Sequence, residues 1–222
     1  MPLSVIVSYD GTDNDRDALR FGKLFASLGA DVALAYVRHA VDPDPDQEAE
    51  LQAEAQALLD EGAAQFDGAV RTHVVISAAT PAGLAALAQG QGADIVIFGS
   101  EYRTAPGHVL PGTSASYLLH GGPCAVGIAP AGMHDTPNGN VATLGEVSEP
   151  GDWSARETAH SLAAALGARM APQADFAVDL LVVGSQVGAL DGRVLISAAA
   201  EYIIENARCP VLVVPRGGRV DF

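Results

Sequence analysis

The chain opens on a short apolar run, Leu3 to Tyr9 (LSVIVSY), rich in β-branched residues and closed by Asp10-Gly11. A run of that length ending in a turn predicts a strand buried on both faces. Phe21, Leu24, Phe25 and Leu28 then recur at helical spacing until Gly29, predicting a helix introduced by Thr12 and Asp15, a pair resembling a capping box. Asp31 to Val37 (DVALAYV) predicts a second strand. His39 to Gln47 is turn-rich, and Glu48 to Phe66, dense in Ala, Glu, Leu and Gln, predicts a helix by propensity. A third strand follows over Val70 to Ser77, then a short helix over Pro81 to Gln89 with proline at its start. Asp94 to Phe98 is a fourth strand ending in Gly99-Ser100, followed by a helix from about Gly112 to Leu119 and a strand from Cys124 to Ala129. Five strands alternating with four helices predict an α/β fold with an open, doubly wound parallel sheet.

Ala131 to Asn140 (AGMHDTPNGN) has no periodicity, and after it the pattern begins again. Asp94 to Gly132 lies without gaps over Asp179 to Gly217, a constant offset of 85 residues. The aligned identities include Gly99/Gly184, Ser100/Ser185, Leu110/Leu195, Tyr117/Tyr202, Cys124/Cys209 and Pro130/Pro215. This is an internal duplication. Nearer the start, Leu28-Gly29-Ala30 matches Leu166-Gly167-Ala168 at an offset of 138. The two offsets, 138 and 85, differ by 53 residues, so the second copy lacks the counterpart of about Ala40 to Gly92. The expected organisation is a complete repeat over 1–132, a linker over 133–140 and a truncated repeat over 141–222, the last a reduced β-α-β-α-β unit that depends on the first to cover its apolar faces.

Composition narrows the function classes. Of 222 residues 49% are apolar and mean hydropathy is +0.21, which excludes a disordered chain. No apolar run approaches the ~20 residues of a membrane helix. The start, Met1-Pro2-Leu3-Ser4, carries no basic region, and two cysteines make no disulfide framework, so the expected compartment is the cytoplasm. Twenty-seven acids against 12 bases leave a net charge of −15, which disfavours nucleic acid and membrane surfaces as partners.

The common phosphate and nucleophile motifs are absent: there is no G-x-x-x-x-G-K-[ST] and no G-x-S-x-G. What remains is a strand ending at Gly99, a loop, and Gly112-Thr113 opening a helix. In an open α/β sheet ligands lie beyond the carboxyl ends of the strands, so Gly99 admits a close phosphate while Gly112 and Thr113 present free amides to an anion. The alternative, with equal weight on physical grounds, is that the glycines make tight turns and Thr113 caps its helix. The six histidines show no ligand spacing and no metal site is expected. Cys124 and Cys209, at equivalent strand starts, read as small buried hydrophobes, and Trp153 reads as packing at the opening of a helix. The acidic run Asp42 to Glu50 reads as a solvated loop and helix start.

With these residues in view the chain resembles the universal stress protein family, whose nucleotide motif is G-x-x-G, nine residues, then G-[ST]. Here Gly99-Ser100-Glu101-Tyr102 is followed by nine residues, Arg103 to Pro111, and Gly112-Thr113. The ending Cys209-Pro210-Val211-Leu212-Val213-Val214-Pro215 is similar to the family's C-P-V-L-V-V. The resemblance implies a Rossmann-type sheet like that of adenine-nucleotide hydrolases, two repeats paired through their last strands as an internal pseudo-dimer, and a further homodimer left open. It implies a non-catalytic stress-response module binding ATP or AMP at Asp10, Val37, Gly99, Arg103, Gly112 and Thr113, or else the same fold acting as a scaffold without nucleotide. Two departures bear on this. Tyr102 replaces the second motif glycine, which adds bulk where the family has none. In the second repeat Ser197-Ala198 stands in place of Gly112-Thr113 and Ser148 is expected opposite Asp10, so no nucleotide is expected there.

Overall fold

The apolar runs of both repeats become strands of one sheet. The computed structural model describes residues 2–39, 45–136, 140–172 and 177–222, with backbone alone at 45 and 46. The first repeat runs β1 (Ser4–Ser8), α1 (Asp13–Ser27), β2 (Asp31–His39), α2 (Pro45–Ala63), β3 (Arg71–Ser77), α3 (Thr80–Gln91), β4 (Ile95–Gly99), α4 (Thr113–Leu119) and β5 (Ala125–Ala129). A 3-10 turn at Met133–Asp135 leads on to β6 (Thr143–Val147), α5 (Ser154–Leu166), β7 (Arg169–Met170), β8 (Leu180–Val183), α6 (Ala198–Asn206) and β9 (Val211–Val213). Among the described residues the sheet has nine strands in the order β3-β2-β1-β4-β5-β9-β8-β6-β7. All neighbours are parallel except β5 and β9, which run antiparallel.

That one antiparallel contact joins the repeats. Its register sets Gly127 against Leu212, with Val126 against Val213 and Ile128 against Val211. Because Gly127 and Leu212 are equivalent at offset 85, a local two-fold axis passes through this pair and the molecule is an internal pseudo-dimer. An added Cβ at Gly127 would lie 3.1 Å from both Ile97 and Phe21, so the position opposite Leu212 is kept empty for the Phe21 ring. Cys124 and Cys209 precede strands that run in opposite directions, lie at opposite ends of the contact, and are both buried free thiols. Burial pushes each thiol up to about 12.

Two apolar layers, one on each face, both run through the two repeats. One joins Phe21, Phe25 and Leu59 to Leu144, Leu162 and Leu212, under α1, α2 and α5. The other joins Ile6, Leu84 and Leu118 to Leu181, Ile204 and Val211, under α3, α4 and α6. Neither repeat closes its own core.

The truncated repeat differs from the expected β-α-β-α-β unit by one strand. The two-residue β7 pairs with β6 where β2 pairs with β1, Arg169 lying against Thr143 as Asp31 lies against Ser4. Its brevity hid it from periodicity. The face of β6 left without a counterpart of α3 carries Gly145 where β1 carries Ile6, and Leu181 and Val178 fold over it at 3.1–3.3 Å from the ideal Cβ. Loss of a covering helix is thus matched by loss of the side chain it would cover. The capping box at α1 also takes another form. Thr12 precedes the helix but its side chain makes no capping bond, and the Asp15 carboxylate accepts from the Asp10 amide instead. The Thr12 amide is bonded to Asp10 Oδ1 at 3.1 Å, leaving no donor for a reciprocal cap. Trp153 stands at the opening of α5 as expected, but its ring is 61% exposed with Arg156 over it. Asp42 to Asp44, from the acidic run, and positions 137–139 of the linker lie outside the described residues.

Candidate functional site

Parallel strands that diverge at their carboxyl ends leave a crevice there. Beyond the ends of β1 and β2 lies a cleft of about 340 Å³, with Ser8, Tyr9 and Asp10 on one side and Ala35, Val37 and His39 on the other. Val37 is buried and gives the wall its apolar character, while Asp10 is exposed at the rim. Two of the six expected site residues therefore meet in one cleft. Asp10 is held in a turn by its bond from the Thr12 amide. Burial alone would raise its carboxyl, but hydrogen bonds from Asp15 and Thr12 outweigh burial and hold it below the usual range. Asp15 moves the other way. Burial, then the hydrogen bond shared with Asp10 and the Asp10 charge, push it up to about 8. At neutral pH the pair carries one proton, on Asp15, and presents one carboxylate to the cleft. An apolar wall beside a single fixed carboxylate suits a flat ring bearing hydroxyl donors.

The other four expected residues do not line this cleft. A Cβ at Gly99 would fall 2.1 Å from the Asn14 carbonyl oxygen, so the missing side chain there lets the first turn of α1 reach the end of β4. Gly112, at φ −72°, has open space around it and precedes α4 in extended backbone that any residue adopts. Thr113 is exposed and its helix has no side-chain cap. Arg103 is exposed, with its guanidinium 4.9 Å from the ring centroid of Tyr102, which is itself 67% exposed. The bulk of Tyr102 thus points into solvent.

The second repeat shows what the same loop does without the glycine before its helix. In repeat 1 Glu101 N–H donates to Leu110 C=O, Thr104 N–H to Glu101 C=O, and Gly107 N–H to Ala131 C=O. In repeat 2 Gln186 donates to Leu195, Ala189 to Gln186 and Gly192 to Arg216, each the same bond at offset 85. Ser100 Oγ donates to Ala129 C=O at 2.7 Å and Ser185 Oγ to Val214 C=O at 2.7 Å. The motif serine is a buried staple in both copies.

One sequence assignment is corrected here. Val5 pairs with Ile95 and Leu144 with Leu180, so β1 and β6 are related by 139 residues and Glu149, not Ser148, stands opposite Asp10. The offset of 138 read downstream misses this because one residue is lost between β6 and the end of α5. Glu149 Oε1 accepts from Ser197 Oγ at 2.8 Å, and Ser197, the counterpart of Gly112, caps α6 by accepting from Ala200 N–H at 3.2 Å. The Glu149 carboxylate thus ties the end of β6 to the start of α6.

Asp17 escaped the sequence reading. It is buried in α1 and accepts from Gly132 N–H at 2.9 Å, His134 N–H at 2.8 Å and His134 Nδ1 at 2.6 Å. The signal was present: Asp17, Phe21 and Phe25 share one stripe at spacing four, and an acid on a buried stripe needs a partner. Among the described residues no group of three or more His, Cys, Asp or Glu is placed to hold a metal ion, and no helix is long and apolar enough to cross a membrane.

Comparison with solved structures shows the same architecture over nearly the whole chain. A universal stress protein from Archaeoglobus fulgidus DSM 4304 superposes with a TM-score of 0.70 at 14% identity, covering 96% of this chain and 98% of that one. A functionally unknown protein from Pseudomonas aeruginosa PAO1 superposes with a TM-score of 0.62 at 16% identity, covering 96% and 92%. No curated protein matches by sequence at a significant level. The sequence itself matches the universal stress protein family over residues 1–130 and 155–215, one segment in each repeat. With both segments matched and the sheet order on the page, the chain belongs to the universal stress protein family.

Proposed function

We propose that this protein is a non-catalytic stress-response module that binds an adenine nucleotide, ATP or AMP, in its first repeat alone. The observation that carries the reading is the cleft at the ends of β1 and β2, where Asp10 and Val37 come together around about 340 Å³. The adenosine part fits that chemistry, with the ring against Val37 and the ribose hydroxyls donating to Asp10. The phosphates extend from there toward the amides at Gly112 and Thr113, with Arg103 leaving Tyr102 to add a charge-assisted bond. The packing of Asn14 against Gly99 keeps the phosphate chain on the solvent side of the loop, so the adenosine part supplies most of the affinity. Replacement of Gly112 by Ser197 in the second repeat, with the Ser197 hydroxyl taken up by Glu149 and the cap of α6, supports a single site per chain.

A second reading, a scaffold of the same fold without nucleotide, is favoured by Arg103 stacking on Tyr102 away from the cleft. Calorimetry with adenosine, AMP and ATP separates the two. The first reading expects one molecule per chain, with comparable affinities and a loss of at least about tenfold in Asp10→Asn. Absence of binding by all three, with no adenine nucleotide in the heat-released supernatant, would establish the second.

A further inference from the structure

A larger cavity, of about 500 Å³, lies at the junction of the repeats, beyond the end of β5 and the starts of β8 and β9. Its walls are largely apolar, with Pro106, Pro130, Met133 and Pro210 among them. Two arginines reach it, Arg20 from α1 and Arg208 from the turn before β9. In a chain of net charge −15 carboxylates are plentiful, and five of the eleven arginines, Arg16, Arg38, Arg71, Arg216 and Arg219, have one among the described residues. Arg20, half-buried, forms no hydrogen bond or ion pair among the described residues, and Arg208 meets only the His108 imidazole nitrogen. Asp179, the one carboxylate in the wall among the described residues, is committed elsewhere. It accepts from Ala142 N–H at 2.9 Å and from Thr143 N–H and Oγ at 2.8 Å.

The arginine pair is also absent from the pseudo-symmetric position. The counterpart of Arg208 is Pro123, and that of Arg20 is Thr158, which is buried and accepts from Val220 N–H at 2.9 Å. The last residues of the chain cover that side. Neither repeat alone forms the cavity, since each supplies one arginine.

We propose that this inter-repeat cavity is a second ligand site, for a small organic anion with an apolar body. The body lies against the prolines and Met133, and its sulfonate, carboxylate or phosphate is shared by Arg20 and Arg208. Apolar contact supplies the bulk of the affinity and the guanidinium pair supplies selection for the charge. Such a ligand bridges the repeats and is independent of the adenosine cleft.

The test uses the full chain and the fluorescent anion 8-anilinonaphthalene-1-sulfonate, with the neutral N-phenyl-1-naphthylamine as control. The expected result is saturable binding of one anion per chain. The neutral probe binds at least about tenfold more weakly, as does the anion to Arg20→Gln or Arg208→Gln. Both side chains lie at the surface of the cavity, so the variants keep the parent melting temperature; should either fail to fold, the comparison of the two probes on the parent chain still decides. Equal binding of the two probes overturns the proposal, as does undiminished binding of the anion to the folded double variant. Displacement of the anion by adenosine also overturns it, by placing the probe in the other cleft.

Discussion

The two β4–α4 type loops share a backbone and differ in what lies beneath. Ser100 to Pro111 and its counterpart Ser185 to Ile196 keep the same main-chain bonds at offset 85, although the second has lost its glycine before the helix. The loop conformation therefore does not need that glycine. The difference sits one strand away, where Asp10 faces an open cleft and Glu149 is bonded to Ser197. One added methylene lets the acid in the second repeat reach the hydroxyl that caps α6. The same loop backbone thus stands beside a carboxylate that lines a cleft in one repeat and a carboxylate bonded to a helix start in the other.

The strongest way to break this comparison is to separate the repeats. Because both apolar layers cross the β5–β9 contact, residues 138–222 alone expose the faces of β8 and β9. That fragment is expected to show no cooperative thermal transition, and a sharp melt in circular dichroism would show that the second repeat closes its own core.

Asp17→Ala is the next largest effect. It strips the amides of Gly132 and His134 of their acceptor and frees the linker from α1. The expected cost is about 2–3 kcal/mol, a fall of roughly 5–10 °C in melting temperature by calorimetry. An unchanged melt would mean that the linker does not hold the repeats in register.

Asp15 separates the first repeat from the second by pH. Its carboxyl is raised from 3.8 to about 8 in the folded protein, so the folded state holds a proton that the unfolded state has released. This contribution is full below about pH 4 and lost as pH rises toward 8. Asp15→Asn keeps a neutral partner for Asp10 and removes the dependence. The melting temperature of the variant relative to the parent is expected to be higher at pH 8.5 than at pH 5. A difference independent of pH would show that the pair does not share a proton.

Glu149→Ala is the smallest change and tests the bond between the end of β6 and the start of α6. Loss of the bond to Ser197 costs about 1 kcal/mol, read as a shift of the urea midpoint at constant m-value. A neutral result would mean that the contact adds nothing to the cap of α6.

How much of this was legible depends on range along the chain. The strand Leu3 to Tyr9, the helix stripe through Phe21 and Phe25, and the match of Asp94 to Gly132 with Asp179 to Gly217 are local patterns, and each survives in the fold. Asp10 and Val37 were named together only through the family resemblance, and the fold brings both to one cleft. The two-residue β7 was missed because two residues carry no period. Ser148 was set opposite Asp10 because a single lost residue is invisible between two apolar runs, and only strand register reveals it.

The sequence alone thus determined the α/β class, the duplication with its deletion, and the family, because burial of alternate faces and chain-local motifs are written in spacing. Tertiary structure alone decided that Gly127 and Leu212 sit on the local axis and that Gly99 is empty for Asn14. It also decided that Asp17 clasps the linker, and that Arg20 and Arg208 share a cavity. Each of these joins residues far apart in the chain, and which surfaces meet follows from packing the two sheet faces as a whole, a choice no short stretch of residues contains.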